Sequence, residues 1–341
     1  MLARVVLAAV ALFAVRPAAS YALTIVTRDE ATQAAIGDAY VQPFTAATDI
    51  SVHQDGWDGG MDGLKAKAAE SGWDLVLVTA DELAAGCADG TFEKLDWSMI
   101  GGKDHYLTMA VSDCGVGAFP NNTVLAWDRD KFQATPTWAD FWDVAKIPGK
   151  RGLAKSVRGA LEIALLADGV ATGDIYKTLS SSDGVDRAFR KLDQLKPYIV
   201  WWRTPAEAAK ILGSGDVLMT ATPSDVVVMA NKADKRNFGL QFAASLYEPR
   251  YWAMIKGDQN PREAQQFLYL TGAPAVQARL FRASGDVGLA KGANDWLTAD
   301  QQALSPTFPA NANASLRVDN GFWHDNLAKL HTRFEAWMTA P

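Results

Sequence analysis

The chain has 341 residues, with 33 Lys and Arg against 39 Asp and Glu for a net charge of -6, and it is 49% hydrophobic and 21% charged. That length exceeds what one hydrophobic core serves and predicts two lobes. Charge is spread along the chain without a basic patch, which argues against a nucleic-acid partner, and no apolar run reaches membrane length.

From the N-terminus, Arg4 and the apolar run 5–15 read as the charged and apolar regions of an export signal, the run being shorter than the about 20 residues a span requires. Ala18, Ser20 and Ala22 supply small residues at peptidase-compatible spacing, and cleavage is expected after Ala22. No Cys follows that run, so the mature chain (23–341) is expected free in the periplasm rather than as a lipoprotein.

Short β-rich runs then alternate with amphipathic stretches, the pattern of an α/β fold with mostly parallel sheets. Strands are predicted at 23–26, 75–78, 116–119, 199–202 and 217–221. Helices are predicted at about 30–46, 61–70, 138–144 with Thr137 as N-cap, 161–167, 185–195, 205–212 and 326–338, and 147–152 (IPGKRG) reads as a turn. No linker-like segment separates the lobes, so the chain is expected to cross between them through hinge strands. Ligands of open α/β sheets sit beyond the carboxyl ends of the strands, which directs attention to loops 27–30, 79–82, 155–159, 222–225 and the region around Arg250.

Catalytic and metal signatures are missing. There is no GxSxG, phosphate loop, HExxH or CxxC; His53, His105, His324 and His331 are scattered; and WDGGMDG (57–63) lacks the acidic alternation and distal Glu of a calcium loop. Neither an enzyme nor a metal or other cofactor is expected. The two cysteines, Cys87 and Cys114, lie in the exported part, where a disulfide between them is expected, with metal ligation and free thiols as the alternatives. Twelve Trp is a high count. Trp127, Trp138, Trp142 and Trp337 lie in apolar periodic segments and read as core, whereas Trp57, Trp201, Trp202, Trp252 and Trp323 sit beside Gly, Arg, Thr or His at strand ends, where a ring can equally wall a ligand.

Several stretches in order, DLVLVTADELAAGCADGTFEKLDWS (74–98), CGVGAFPNNTVLAWD (114–128), TWADFWDVAKIPGKRGL (137–153), LEIALLADGV (161–170), ILGSGDVLM (211–219), YWAMIKG (251–257) and NGFWHDN (320–326), together resemble the spermidine/putrescine-binding family of bacterial ABC importers. The resemblance implies a two-lobed periplasmic-binding-protein fold, each lobe a mostly parallel sheet flanked by helices, with 23–127 plus 248–285 in one lobe and 128–247 plus 286–341 in the other, joined by a two-strand hinge. It also implies a monomer that closes on one small solute, a polyamine, amino-acid derivative or organic acid, and delivers it to an inner-membrane permease. A ligand sensor and a secreted enzyme on the same scaffold are the alternatives.

Matching that family's binding positions marks Thr27, Glu30, Thr79, Asp81, Ser156, Gly159, Thr222 to Asp225, Glu248, Arg250, Asp286 and His324. Arg28, Trp57, Trp202 and Trp252 are further candidates. Where the family places acids, this chain has Ser156, Gly159 and Arg250. A guanidinium repels an ammonium and grips a carboxylate in bidentate fashion. Arg28, Lys155 and Arg158 lie close to the same loops and add to that bias, although such charges more often lie solvated at the surface. With Asp81, Glu248 and Asp286 remaining, the expected ligand carries both signs of charge.

Overall fold

A computed structural model describes residues 23–233 and 235–340; the expected export signal lies outside them. Three parallel strands, β1 (Leu23–Thr27), β2 (Val52–Gly56) and β3 (Leu75–Val78), run with β1 in the middle. β3 is LVLV with every residue buried, the continuous apolar run of a strand covered on both faces. β4 (Gly115–Asp128) is followed by a second parallel set, β5 (Arg151–Ala154), β6 (Ile199–Trp202) and β7 (Met219–Pro223). β8 (Phe238–Met254) runs antiparallel to β3 and β4, and the short β9 (Leu316–Arg317) pairs with it. The order is β2-β1-β3-β8-β4-β7-β5-β6.

The two long strands carry the chain from one core to the other. Phe119 and Trp252 pack with Ile25, Leu77, Phe44 and Phe267, whereas Leu125, Trp127 and Leu246 pack with Phe141, Leu161, Leu192 and Phe334. The crossing therefore falls at Pro120 to Asn122 on β4, opposite Tyr247 to Pro249 on β8, inside the strands. This differs from the boundary expected at 127/128, because β4 runs on unbroken through the crossing. Thr123 faces Leu246 and Leu125 faces Gln241, so five steps of β8 oppose two of β4; Ala244, at φ 54°, sits in that bulge, which bends the ladder. Leu289 and Ala290 pack in the first core and Ala290 bridges to Tyr106, so the segment just after residue 286 stays with the first lobe instead of joining the second.

Locally, the expected long helix at 30–46 is interrupted: Glu30–Ile36 and Gln42–Thr48 are separated by a wider π turn at Gly37–Val41. Thr137 caps Trp138–Trp142 through a reciprocal pair of hydrogen bonds with Asp140. Of the segment read as a turn, residues 147–150 are irregular and Arg151 and Gly152 open β5; Arg151, completely buried, donates to the carbonyls of Phe141, Ile147 and Gly149 at 2.7, 2.7 and 2.8 Å. Cys87 and Cys114 form a disulfide, tying helix Ala80–Ala88 to the approach to β4.

Candidate functional site

The parallel strands β1, β3, β5 and β7 end at the crossing, so the loops that follow them converge on β4 and β8. Two adjoining cavities open there. The smaller, about 90 Å3, is lined by Arg28, Asp29, Asp225 and Asp286, and the larger, about 290 Å3, by Ser156, Arg158, Gly159, Trp202 and Glu248. Asn121, Pro205, Pro223 and Arg250 line both, so Arg250 stands at the junction.

Each charge has a distinct situation. Arg28 lies 4.9 Å over the Trp57 ring and is ion-paired with Glu82. Burial pushes the Glu82 carboxyl up, but Arg28, Thr79 and the Gly60 N–H outweigh it and hold it below its ordinary value. Arg250 makes no side-chain hydrogen bond or ion pair within 4.0 Å among the described residues. Facing it, Asp225 is pushed up to about 6 by burial, with Asp29 adding to the shift and the Val226 N–H and Arg250 opposing it. Asp286, 8% exposed, is pushed well above the usual carboxylate range by burial and by Asp225. Around these groups Thr27 Oγ1, Trp57 Nε1, Asn122 Oδ1, Thr222 Oγ1 and Ser224 Oγ are buried polar atoms without a protein partner. Few such atoms occur in a folded chain, and Asn122 lies on the wall of the smaller cavity.

Of the residues singled out from sequence, the structure brings Arg28, Asp225, Arg250 and Asp286 together on one cavity and Ser156, Gly159, Trp202, Glu248 and Arg250 on the other. Thr27, Trp57 and Thr222 are buried; Trp57 lies beneath Arg28. Five others are placed elsewhere. Thr79 is committed to a capping box with Glu82 at the start of helix Ala80–Ala88. Asp81 is held by Arg158. Glu30 is exposed in the first turn of its helix, and His324 is exposed on helix Asn320–Thr339. Trp252, 2% exposed, stands edge-on to Phe267 in the core. Arg158, grouped with solvated charges by its sequence context, is instead a partly buried ion-pair centre. Asn121 and Asn122 were not singled out, although two amides in the middle of the apolar run VGAFPNNTVLAW are a signal that could have found them.

Residues 39–312 match the family of bacterial extracellular solute-binding proteins. The gamma-aminobutyric acid-binding protein of Pseudomonas aeruginosa is 38% identical over 338 residues, covering 98% of this chain and 96% of that protein. Among solved structures, an ABC transporter substrate-binding protein from Bradyrhizobium japonicum is 28% identical with a TM-score of 0.83, covering 93% of this chain and 99% of that one. A structure titled as a GABA receptor is 28% identical with a TM-score of 0.82, covering 94% and 98%. With a matching fold, a charged interlobe cleft and a family match over most of its length, this chain belongs to the bacterial extracellular solute-binding proteins.

Proposed function

We propose that this chain is exported with cleavage after Ala22, captures a small zwitterionic amino acid of the γ-aminobutyrate type in its cleft, and hands it to an ABC permease. The observation that carries the reading is Arg250: a guanidinium with no side-chain hydrogen bond or ion pair among the described residues, sharing one small cavity with Asp225 and Asp286. In this arrangement Arg250 takes the ligand carboxylate through two parallel hydrogen bonds. Asp225 and Asp286 take the ammonium, and Leu77, Phe119 and the prolines at 120, 205 and 223 wall the methylenes. The relatives bearing the γ-aminobutyrate name support the same ligand class.

A polyamine fits this cleft less well. Both ends of a diamine are cations, and Arg28 and Arg250 line the cavity that one end would enter. Calorimetry with γ-aminobutyrate, putrescine and butyrate tests the reading. γ-Aminobutyrate is expected to bind most tightly, because it alone satisfies both signs of charge. Putrescine binding as tightly as γ-aminobutyrate would sink the assignment.

A further inference from the structure

Arg158 joins parts of the molecule that the crossing strands would otherwise leave free to swing. It sits between β5 and the helix that follows, at φ -68° and ψ 126°, next to Gly159 at φ 91°, so the backbone there is not helical although the segment Val157–Ala167 continues as a helix. That kink is held from inside: Glu162, completely buried, accepts the Gly159 N–H at 2.9 Å. From this anchored position the Arg158 guanidinium reaches Asp81 at the start of helix Ala80–Ala88 in the first lobe. It also reaches Glu248 on β8, at 2.5 Å, and Asn320 at the start of the last helix. The side chains of Arg158, Asp81 and Glu248 are 20%, 26% and 14% exposed, so these pairs are shielded from much of the solvent screening that weakens surface ion pairs.

We infer that the Arg158 to Asp81 pair is an interlobe latch, which sets how long the closed cleft retains its ligand without Asp81 touching that ligand. Arg158 lines the larger cavity, but Asp81 lines neither. Its carboxylate therefore acts only through Arg158. Each closing event makes the pair and each opening breaks it, so its free energy enters the closed-to-open ratio and is felt as dissociation rate. The inference rests on the proposed capture of a zwitterion for its kinetic arm and on the two-lobe architecture alone for its structural arm.

Stopped-flow measurement with γ-aminobutyrate separates this role from a ligand contact. Asp81→Asn and Arg158→Ala are expected to raise the dissociation rate about tenfold or more while changing the association rate less than about threefold. Arg158→Lys keeps the charge but replaces the planar, spread guanidinium with a compact ammonium, and is expected to fall between. If Arg158→Ala fails to fold, Asp81→Asn decides, since it leaves Glu248 and Asn320 on the guanidinium. A dissociation rate for Asp81→Asn equal to that of the unsubstituted chain overturns the latch. If the unsubstituted chain takes up no γ-aminobutyrate, the proposed ligand falls and the latch is judged by small-angle scattering of the ligand-free proteins. A larger radius of gyration in Asp81→Asn supports it, and superimposable profiles reject it.

Discussion

Trp323 donates its indole N–H to Glu162 Oε1 at 2.7 Å, and both side chains are completely buried. Tyr176 donates its hydroxyl to the same oxygen at 2.9 Å, and Gly159 N–H goes to Oε2. Burial pushes this carboxyl up in pKa against those donors. Glu162→Ala strands the buried Trp323 N–H at about 1–3 kcal/mol and the partly buried Tyr176 and Gly159 donors at less, so a loss of about 2 kcal/mol or more is expected in chemical denaturation. Glu162→Gln, which keeps an acceptor oxygen, is expected to lose less. Equal midpoints for all three proteins would show that the network does not hold the second lobe together.

Arg250→Ala is expected to weaken γ-aminobutyrate binding about a hundredfold, in the range for removing one partner of a buried charged pair. The ligand-free melting temperature is expected to change little, because among the described residues the guanidinium makes no side-chain hydrogen bond or ion pair within 4.0 Å. Differential scanning fluorimetry with and without ligand reads both quantities, and full ligand-induced stabilisation in the variant would take Arg250 out of the site.

Asp225 makes both stability and binding depend on pH. Its folded value, about 6, lies above its ordinary 3.8, so the unfolded chain ionises first. This penalty is absent below the unfolded pKa, and ligand-free stability is expected to decline as pH rises from about 4 to about 6. An ammonium ligand prefers the ionised acid. Affinity for γ-aminobutyrate is therefore expected to rise with pH through about 6, with proton release on binding. Butyrate, lacking the amine, is expected not to share this rise. Calorimetry near pH 6 in two buffers of different ionisation enthalpy counts the protons; an affinity flat across that range would remove Asp225 as the ammonium partner.

The disulfide between Cys87 and Cys114 closes a span of 27 residues, which corresponds to about 3–4 kcal/mol on the chain-entropy scale. Cys87→Ser with Cys114→Ser is expected to lower the denaturation midpoint accordingly and to leave γ-aminobutyrate affinity unchanged, since neither residue lines the cleft. A change in affinity would mean that the bridge also shapes the site.

The parts legible in the sequence are those whose signal is local. β3 stands where LVLV predicts it, Thr137 caps the helix its spacing announces, and the helices predicted at 161–167 and 205–212 fall inside Val157–Ala167 and Pro205–Ser214. β2 went unseen because VHQDG lies at the sheet edge and carries no apolar pattern. β5 was hidden by Arg151, whose burial depends on three carbonyls, and β8 by a Glu-Pro-Arg interruption that turns out to be the crossing itself.

Length and element order were enough to mark two lobes and the loops that follow the strands, and the family resemblance marked the exchange of carboxylates for Arg250. Which charges stay free was another matter. Arg158, read from its context as a solvated charge, meets Asp81 across 77 residues of sequence, while Arg250 makes no side-chain hydrogen bond or ion pair among the described residues. The spacing of Thr79 to Glu82 is a capping-box signal that could have announced the cap, but nothing in the chain order reveals that Trp252 turns into the core. Ion pairing and burial depend on distances of a few ångströms between segments remote in sequence, and only the folding of β4 and β8 into one ladder sets those distances.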